Sequence, residues 1–356
     1  MLGRRRIALI TPGFPGDEAD TSCIPPLQIA LQRLRRRHPD IRITVVALHY
    51  PNRFRPYRWH DLGVLPVGGG NRSLPLRLAA LARASRAIRR RHSRHPFDAI
   101  HALWLGDTAW VGWWVSRRIG RPFIATVMGQ DARPSNRWLR FLPLRGARLT
   151  SVSERASVEV AGTINRAADL VIPWGLDPSK EDPPGWNDRP IDLLGVGSLT
   201  ENKDFTALIH TAAELESRGR VCRTVIIGDG PRRAALEGQV LELGLTDRVR
   251  LEGQLPRAEV LERMCRSKIL IHPSHYESFG FVFSEALANG MTVLSRPVGA
   301  AQASPRWRLC ESTQCFAAAV EETLDDPPGT EAVMLFSEDE TADGLAMLYR
   351  TAGTAR

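Results

Sequence analysis

Short runs of β-branched and other apolar residues alternate along the whole chain with helix-length amphipathic segments, and this alternation constrains the fold more than any other feature. Strand, crossover and strand in succession are typical of parallel sheets covered by helices. The pattern therefore predicts an α/β protein with two doubly wound, Rossmann-like domains of about 150 residues each. The runs are RIALIT, IRITVVAL, FDAIHAL, PFIATVMG, ARLTSVS and ADLVIPW in the first half, and IDLLGVGS, RTVIIGDG, DRVRLEG, KILIHPS and MTVLSRP in the second.

The break between the two domains is predicted in GLDPSKEDPPGWNDRP, where proline, glycine and charge replace the apolar period. We expect a first domain over 1–175, a linker over 176–190 and a second domain over 191–338. The last segment, 339–356, is expected to form a helix that crosses back to the first domain. Ligands of open parallel sheets bind beyond the carboxyl ends of the strands. The expected site is therefore the cleft between the domains, with the linker as hinge.

Composition excludes several classes of protein. A hydrophobic content of 43% with 24% charged residues is that of an ordinary globular protein. No apolar run approaches the roughly 18 residues that span a bilayer, and the start lacks a secretory signal, so a cytoplasmic location is predicted. The five cysteines are scattered, which favours reduced thiols over disulfides. Cys310 and Cys315 have no partnering Cys or His nearby, so no metal site is predicted.

The two halves of the chain carry opposite net charges. Residues 1–180 contain 30 Lys and Arg against 12 Asp and Glu, whereas residues 181–356 contain 18 against 27. Within the basic half, residues 71–95 carry eight arginines and no acid, with Leu and Ala at helical spacing. This is a basic amphipathic helix for an anionic membrane surface, or else a solvated surface helix. Nucleic acid is disfavoured because the stretch has no aromatic residue for base stacking.

One lysine lies where a phosphate could bind. Lys203 follows a predicted strand that ends at Gly197, and it precedes the helix DFTALIHTAAEL. An ammonium beside exposed amides and a positive helix end favours a phosphate. The chain has only three lysines against 45 arginines, so a lysine in this turn is unusual. The alternative is an ordinary surface lysine.

The stretch HYESFGFVFSEALANG places Glu277 and Glu285 on either side of a glycine turn. It predicts a loop at the end of a buried strand, then a helix that ends on Gly290. Gly280 would let backbone amides approach a phosphate at the helix N-terminus. The two acids would then flank a ligand with hydroxyls on both sides of a diphosphate, which is the shape of a nucleotide sugar. Alternatively, both are ordinary surface carboxylates.

A set of segments resembles one enzyme family in order and spacing. VGSLTENKDF, VIIGDGPRRAALE, VRLEGQLPRAEVLERM and PSHYESFGFVFSEALANGMTVLSRPVG are similar to the C-terminal domain of retaining glycosyltransferases of the GT-B fold, family 4 (group 1). FDAIHALW, GRPFIATVMGQDAR and VIPWGLD resemble that family's N-terminal domain. The resemblance covers almost the whole chain. It implies a GT-B fold, with the donor bound by the second domain and the acceptor by the first.

The resemblance also implies roles for single residues. Lys203 would neutralise the donor diphosphate, Glu285 would bind the ribose hydroxyls, and Glu277 would hold the transferred sugar. The donor-binding residues it implies are Gly13, Gly197, Ser198, Lys203, Phe279, Gly280, Phe281 and Glu285. Amides of Phe279 to Phe281 would cap the phosphates, and Gly13 in TPGFP matches the glycine loop that faces the diphosphate.

Two positions depart from the family pattern. Ser198 stands where the family usually has arginine, so one diphosphate charge lacks its common partner. Met128 stands where a histidine is common near the reacting sugar. Asp131 is a candidate for hydroxyl binding in its place, or else a helix cap. His101, at the end of FDAIHAL, is a rival catalytic candidate, or else a structural histidine. His275 and Asp107 receive no role.

The expected activity is transfer of a sugar from a nucleotide diphosphate sugar to a hydroxyl acceptor, with retained configuration and without metal or other cofactor. The expected acceptor is a lipid-linked or cell-surface glycan precursor, and the protein could attach peripherally to the membrane. The predicted catalytic residues are Glu277, Asp131 and His101. The alternatives are a catalytically impaired nucleotide-sugar-binding protein and a GT-B fold epimerase. A phosphorylase would need a pyridoxal lysine, for which the chain offers no candidate.

Overall fold

The structure is a computed structural model that describes residues 4–70, 73–176 and 183–352. The chain divides into two compact units. The first comprises Met1–Gly175 together with Glu338–Arg356, and the second comprises Leu176–Ser337. Of the predicted linker, residues 177–182 lie outside the described residues. The part that follows belongs to the second unit and contains a single 3-10 turn, Trp186–Asp188.

An eight-stranded sheet forms the centre of the first unit. Its strands are β1 (Arg5–Gly13), β2 (Ile41–Tyr50), β3 (Tyr57–Trp59), β4 (Leu62–Pro66), β5 (Ala99–Leu103), β6 (Phe123–Val127), β7 (Arg148–Ser151) and β8 (Leu170–Val171). The order is β3-β4-β2-β1-β5-β6-β7-β8, and every neighbouring pair is parallel except β3 with β4. β5 and β6 are buried along their whole length, as their continuous apolar sequences predict.

Four helices of the first unit connect these strands: α1 (Pro25–Arg37), α2 (Leu74–Arg94), α3 (Asp107–Ile119) and α4 (Glu154–Ile164). The predicted basic helix 71–95 is α2, apart from residues 71 and 72, which are not among those described. Ala80, Ala84 and Ile88 recur at intervals of four and form its buried face. Between β6 and β7 the crossover is made of three short 3-10 turns instead of an α-helix.

The second unit contains a six-stranded, fully parallel sheet. Its strands are β9 (Ile191–Val196), β10 (Thr224–Ile227), β11 (Val249–Gly253), β12 (Ser267–His272), β13 (Thr292–Ser295) and β14 (Trp307–Leu309). The order is β11-β10-β9-β12-β13-β14. The helices are α5 (Phe205–Ser217), α6 (Arg233–Glu242), α7 (Arg257–Cys265), α8 (Phe281–Ala288) and α9 (Thr313–Asp325). Buried apolar clusters lie against both faces of this sheet.

The predicted two-sheet α/β architecture is confirmed. Each of the eleven predicted runs contains a strand, whereas β3, β4 and β14 were not predicted. β3 and β14 have three residues each, too few to show a period, and the five residues of β4 include a glycine and a proline.

In each sheet the strand order reverses direction at one point, and a crevice opens at the carboxyl ends of the two strands that meet there. In the second unit these strands are β9 and β12, and in the first unit they are β1 and β5. The predicted phosphate-binding loops follow β9 and β12. Topology therefore brings together two segments that are about 70 positions apart in the sequence.

The last helix, α10 (Glu338–Thr351), belongs to the first unit and packs against α1 and β1. Its inner face is apolar, and Leu348 and Tyr349 are fully buried. Along its rim, Asp343 accepts a hydrogen bond from Arg37 at 2.7 Å and lies 2.7 Å from the ring of His38. The helix thus completes the core of the first unit.

We expect Leu348→Ala to lower the free energy of unfolding by about 2–5 kcal/mol, because it leaves a cavity against the first unit. Met347→Ala is the matched control, since this neighbouring side chain is 48% exposed and its loss should change stability by less than about 0.5 kcal/mol. Urea unfolding of both variants is the measurement. Equal effects would show that α10 does not pack as described.

Candidate active site

Except for Gly13, which belongs to the first unit, the residues that the sequence analysis assigned to donor binding lie at the crevice of the second unit. The loop after β9 carries Gly197, Ser198 and Lys203. The loop after β12 carries Glu277, and it leads into α8 through Gly280. The two loops are hydrogen-bonded to each other, because Asn202 donates from its side-chain amide to the carbonyl of Tyr276 at 3.0 Å.

Lys203 and Glu277 form an ion pair through Nζ and Oε1. The ring of His272, at the end of β12, lies with Nε2 2.7 Å from the same carboxylate oxygen. His272 is fully buried, whereas the Lys203 and Glu277 side chains are 21% and 13% exposed. The pair is therefore shielded on the side of the sheet and accessible only from the crevice.

The charge states of this cluster follow from burial and contacts. Burial alone would raise the pKa of Glu277, but the hydrogen bond from His272 and the charge of Lys203 outweigh it and lower the pKa to about 2. Burial lowers the pKa of His272, so its ring is neutral. A neutral imidazole donates from Nε2 to the carboxylate. The site thus holds one fixed anion and one ammonium group.

Glycines let the neighbouring loops approach closely. Gly228 follows β10 with φ 144°, and a Cβ built there would lie 1.8 Å from the carbonyl oxygen of Gly197. The loop after β9 could not keep this course beside any other residue at position 228. A Cβ on Gly197 would lie 3.5 Å from Cε of Lys203, so the lysine stem runs directly over Gly197.

The start of α8 offers unpaired donors. Gly280 has φ 77°, and a Cβ there would lie 2.3 Å from the ring of Phe283, so only glycine fits. Within the described residues, no acceptor takes the backbone N–H of Phe279, Gly280 or Phe281. First-turn amides with a helix dipole behind them form an anion-binding site. These donors follow Glu277 directly in the chain.

Glu285 lies on α8 and is paired with Arg257 at the start of α7. The Nε and Nη2 atoms of Arg257 lie 2.9 Å and 2.8 Å, respectively, from Oε1 of Glu285. Burial raises the pKa of Glu285 even though the guanidinium works in the opposite direction. The interpretation of Glu285 as an exposed helix residue is therefore wrong, because its side chain is 12% exposed. Its Oε2 atom remains available for a hydroxyl donor.

Ser198 is exposed, and its side chain adds only a hydroxyl to the loop after β9. A second cation lies near this loop. Arg296, just after β13, donates to Asp204 at 2.9 Å and contacts the ring of His275 at 2.7 Å. Since Asp204 directly follows Lys203, the Arg296 guanidinium joins the loops that follow β9, β12 and β13. This contact gives His275 a place beside the site.

In the first unit, Gly13 ends β1 at the crevice of that sheet, and Met128 is buried after β6. Asp131 is only 8% exposed. Its carboxylate accepts hydrogen bonds from the N–H groups of Leu105 at 2.7 Å, Gly129 at 2.6 Å and Met128. Asp131 therefore ties two loops together instead of facing a substrate, and its predicted catalytic role is corrected to a structural one.

His101 is also corrected to a structural residue. It is 1% exposed, and its Nδ1 lies 2.9 Å from the hydroxyl of Tyr349 on α10, while Nε2 lies 2.6 Å from Oγ1 of Thr126. Burial lowers the pKa of His101 to about 3, so the ring is neutral. A ring with both nitrogens bonded and no exposed surface cannot reach a substrate.

Two residues of the site were not predicted. His272 appeared in the sequence only as the polar end of an apolar strand, and that position was the available signal. Arg257 gave no signal, because its contact with Glu285 joins two helices that lie on either side of β12 in the sequence, 28 positions apart. Within the described residues, no group of three or more His, Cys, Asp or Glu side chains could hold a metal ion. None of the described helices has the length and apolarity to cross a membrane.

Part of the second unit matches a known protein family. Residues 177–303 match the family model described as Glycosyl transferases group 1. Alpha-D-kanosaminyltransferase of Streptomyces kanamyceticus is 31% identical over 260 residues, which cover 67% of this chain and 64% of that protein. 2-Deoxystreptamine glucosyltransferase of the same organism is 29% identical over 59% of each chain. The chain thus spans about three fifths of the length of these curated relatives.

The fold is shared with solved structures across both units. The Anabaena protein HepE in complex with UDP-glucose superimposes with a TM-score of 0.67 at 18% identity, over 98% of this chain and 96% of that chain. The class that the fold defines is therefore the GT-B type, with two Rossmann-like domains. Within this class, residues 177–303 match the group 1 glycosyltransferase family, and both curated relatives are glycosyltransferases by name.

The two site carboxylates should titrate differently. We expect 13C NMR of the glutamate carboxyls to show Glu277 still ionised at about pH 4, while Glu285 takes up its proton at a higher pH than an ordinary glutamate. Glu277→Gln and Glu285→Gln assign the signals. The lowered pKa of Glu277 stabilises the folded state above about pH 4.5, and this contribution is lost as the pH falls towards 2. Parallel titration of both groups near pH 4.5 would contradict the described contacts.

Proposed function

We propose that the protein is a retaining glycosyltransferase of family 4 that transfers a sugar from a nucleotide diphosphate sugar to a hydroxyl group, without a metal ion. The observation that carries the proposal is the placement of Lys203, Glu277 and the unpaired amides at the start of α8 around one crevice. A cation and helix-end donors suit a diphosphate. The match of this segment to the group 1 family points to the same chemistry.

The reaction needs stabilisation of the departing diphosphate. As the bond from the sugar to the phosphate breaks, negative charge grows on the diphosphate oxygens. Lys203 and the N–H groups of Gly280 and Phe281 are fixed before the reaction, so they stabilise this charge without rearrangement. Because the protein supplies these donors itself, the proposal requires no metal.

The carboxylates take two binding roles. Glu277 stays ionised and accepts hydrogen bonds from hydroxyls of the transferred sugar. Glu285 accepts from the ribose, with Arg257 holding one of its oxygens. HepE was solved in complex with UDP-glucose, which is a donor of the proposed class. Retention of configuration rests on the motif resemblance, since Lys203, Glu277 and Glu285 match that pattern.

The acceptor is proposed to be a hydroxyl on a lipid-linked or cell-surface glycan precursor. The basic first half of the chain suits a phosphate-bearing acceptor, and we propose that α2 attaches this half to an anionic membrane surface. The relatives favour a second candidate, because one is named for a glucosyl transfer to 2-deoxystreptamine, a small polyhydroxylated ring. A panel with both acceptor types separates the two.

Ser198 and Met128 raise the alternative of an impaired enzyme that binds the donor without transferring its sugar. Slow hydrolysis of the donor in the absence of acceptor distinguishes the two, because an impaired protein would retain the intact donor. The donor itself can be found by thermal shift against nucleotide diphosphate sugars, since a ligand of the folded state raises Tm.

We expect Lys203→Ala to lower kcat by about 100-fold or more, because it removes the charge opposite the departing diphosphate. Glu285→Ala should raise KM for the donor more than it lowers kcat. The matched control is Lys268→Ala, since this half-buried lysine pairs with Asp192 at 2.7 Å near the amino end of β12. Steady-state kinetics with the identified donor are the measurement. Wild-type turnover in the Lys203 variant would contradict the proposed donor site.

The stereochemical outcome is a separate test. With a donor whose sugar is α-linked to the diphosphate, we expect 1H NMR of the isolated product to show an α linkage. The initial rate should be unchanged after EDTA treatment. A β-linked product would contradict retention, and a rate that falls with EDTA and recovers with a divalent ion would contradict the metal-free mechanism.

A further inference from the structure

A groove of about 330 Å3 lies between α2 and α3 on the outside of the first unit. Most of its walls are apolar. Leu78 and Leu81 come from α2, and Trp110 and Trp114 come from α3. Leu78 is 57% exposed, which is high for a leucine beside two tryptophans. The groove is therefore an open apolar channel, and the proposed transfer reaction gives it no role.

Arg86 and Arg89 line the same groove at its other end. At 1.5 Å per helical residue, Arg89 lies about 16 Å further along α2 than Leu78. In the described residues, no carboxylate lies within 4 Å of either guanidinium group. An amphiphile with an apolar chain and one anionic head matches this arrangement in both length and charge.

The surface around the groove continues both features. Trp110 lies 5.2 Å from Trp113 and 6.4 Å from Trp138 between ring centroids, and these rings are half-buried. Phe141 directly follows the 3-10 turn Arg137–Arg140 and is 69% exposed. The face therefore presents a band of aromatic side chains beside α2, although the sequence of α2 contains none.

The chain segment that contains this face is strongly basic. Between Ser73 and Arg148 the chain has fifteen arginines and only three acids, Asp98, Asp107 and Asp131. Asp107 and Asp131 are buried, and Asp98 accepts the backbone N–H of Arg6. Tryptophan rings and arginines side by side are the residues found where proteins meet the interface of a membrane.

We infer that this α2–α3 face docks on an anionic phospholipid bilayer, with one acyl chain in the groove and its phosphate on Arg86 and Arg89. The inference rests on the membrane attachment of α2 proposed above and deepens it, and it is independent of the proposed transfer reaction. It adds an apolar anchor to the electrostatic attraction of α2, and stable attachment to a bilayer generally needs two such signals.

Nucleic acid fits this face less well than a bilayer. Bases stack on open aromatic faces, whereas the guanidinium of Arg118 lies over the ring of Trp114 at 4.5 Å and the other rings pack partly into the core. The exposed leucines Leu76 and Leu78 would also find no apolar partner on a phosphate backbone. Apolar contact together with positive charge is what an anionic membrane surface requires.

The test is flotation of the full chain with vesicles of phosphatidylcholine alone or mixed with phosphatidylglycerol. We expect binding to the mixed vesicles and little to the neutral ones. Arg86→Gln with Arg89→Gln should lower the partition coefficient about tenfold or more. Leu78→Glu, at an exposed position, should lower it comparably by removing the apolar contact. Arg250→Gln with Arg266→Gln is the matched control, since both arginines are exposed on the second unit.

A second measurement reports insertion directly. Brominated acyl chains should quench the tryptophan fluorescence of the wild type, and much less that of the Leu78→Glu variant. Binding unchanged by the groove substitutions, or absence of quenching, would overturn the inference. So would displacement from vesicles by RNA, which would make the face a nucleic-acid surface, or a dimer that dissociates on Leu78→Glu, which would make it an interface between two copies of the chain.

Discussion

The ion pair between Lys203 and Glu277 fixes the geometry on which the site depends. It joins the loops that follow β9 and β12, the two strands that meet where the strand order of the second sheet reverses. The neutral ring of His272 donates a hydrogen bond to the carboxylate of Glu277. Without this contact the lysine stem would have no fixed course over Gly197. The ammonium group would then not be held beside the amides that open α8.

The two glutamates show how burial and partners separate similar groups. The two side chains are buried to nearly the same extent, since 13% of the Glu277 surface and 12% of the Glu285 surface are exposed. Glu277 has two hydrogen-bonding partners and a lowered pKa, whereas Glu285 has one guanidinium and a raised pKa. The site thus contains one carboxylate whose pKa is lowered and another whose pKa is raised. This difference suits one fixed contact to a sugar and one adaptable contact to a ribose.

Much of the architecture could be predicted from sequence, because parallel strands covered on both faces are continuous apolar runs. The motif at the start of α8 was also predictable, since Gly280 and the acids on either side lie within nine residues. Contacts between distant segments could not be predicted from the sequence. Arg257 meets Glu285 only through packing of α7 on α8, and the tryptophans of α3 meet α2 only across the fold. His101 was chosen because it ends a strand, and Asp131 because it lies three residues after Met128, which stands where the resembled family commonly has histidine. Burial gives both of them structural roles.

The most direct test is a crystal structure of the protein with the nucleoside diphosphate of its donor. The β-phosphate is predicted to lie within hydrogen-bonding distance of Nζ of Lys203 and of the N–H groups of Gly280 and Phe281. The ribose hydroxyls should contact Glu285. A diphosphate bound away from the start of α8, with the Lys203–Glu277 pair undisturbed and no phosphate contact, would contradict the central claim.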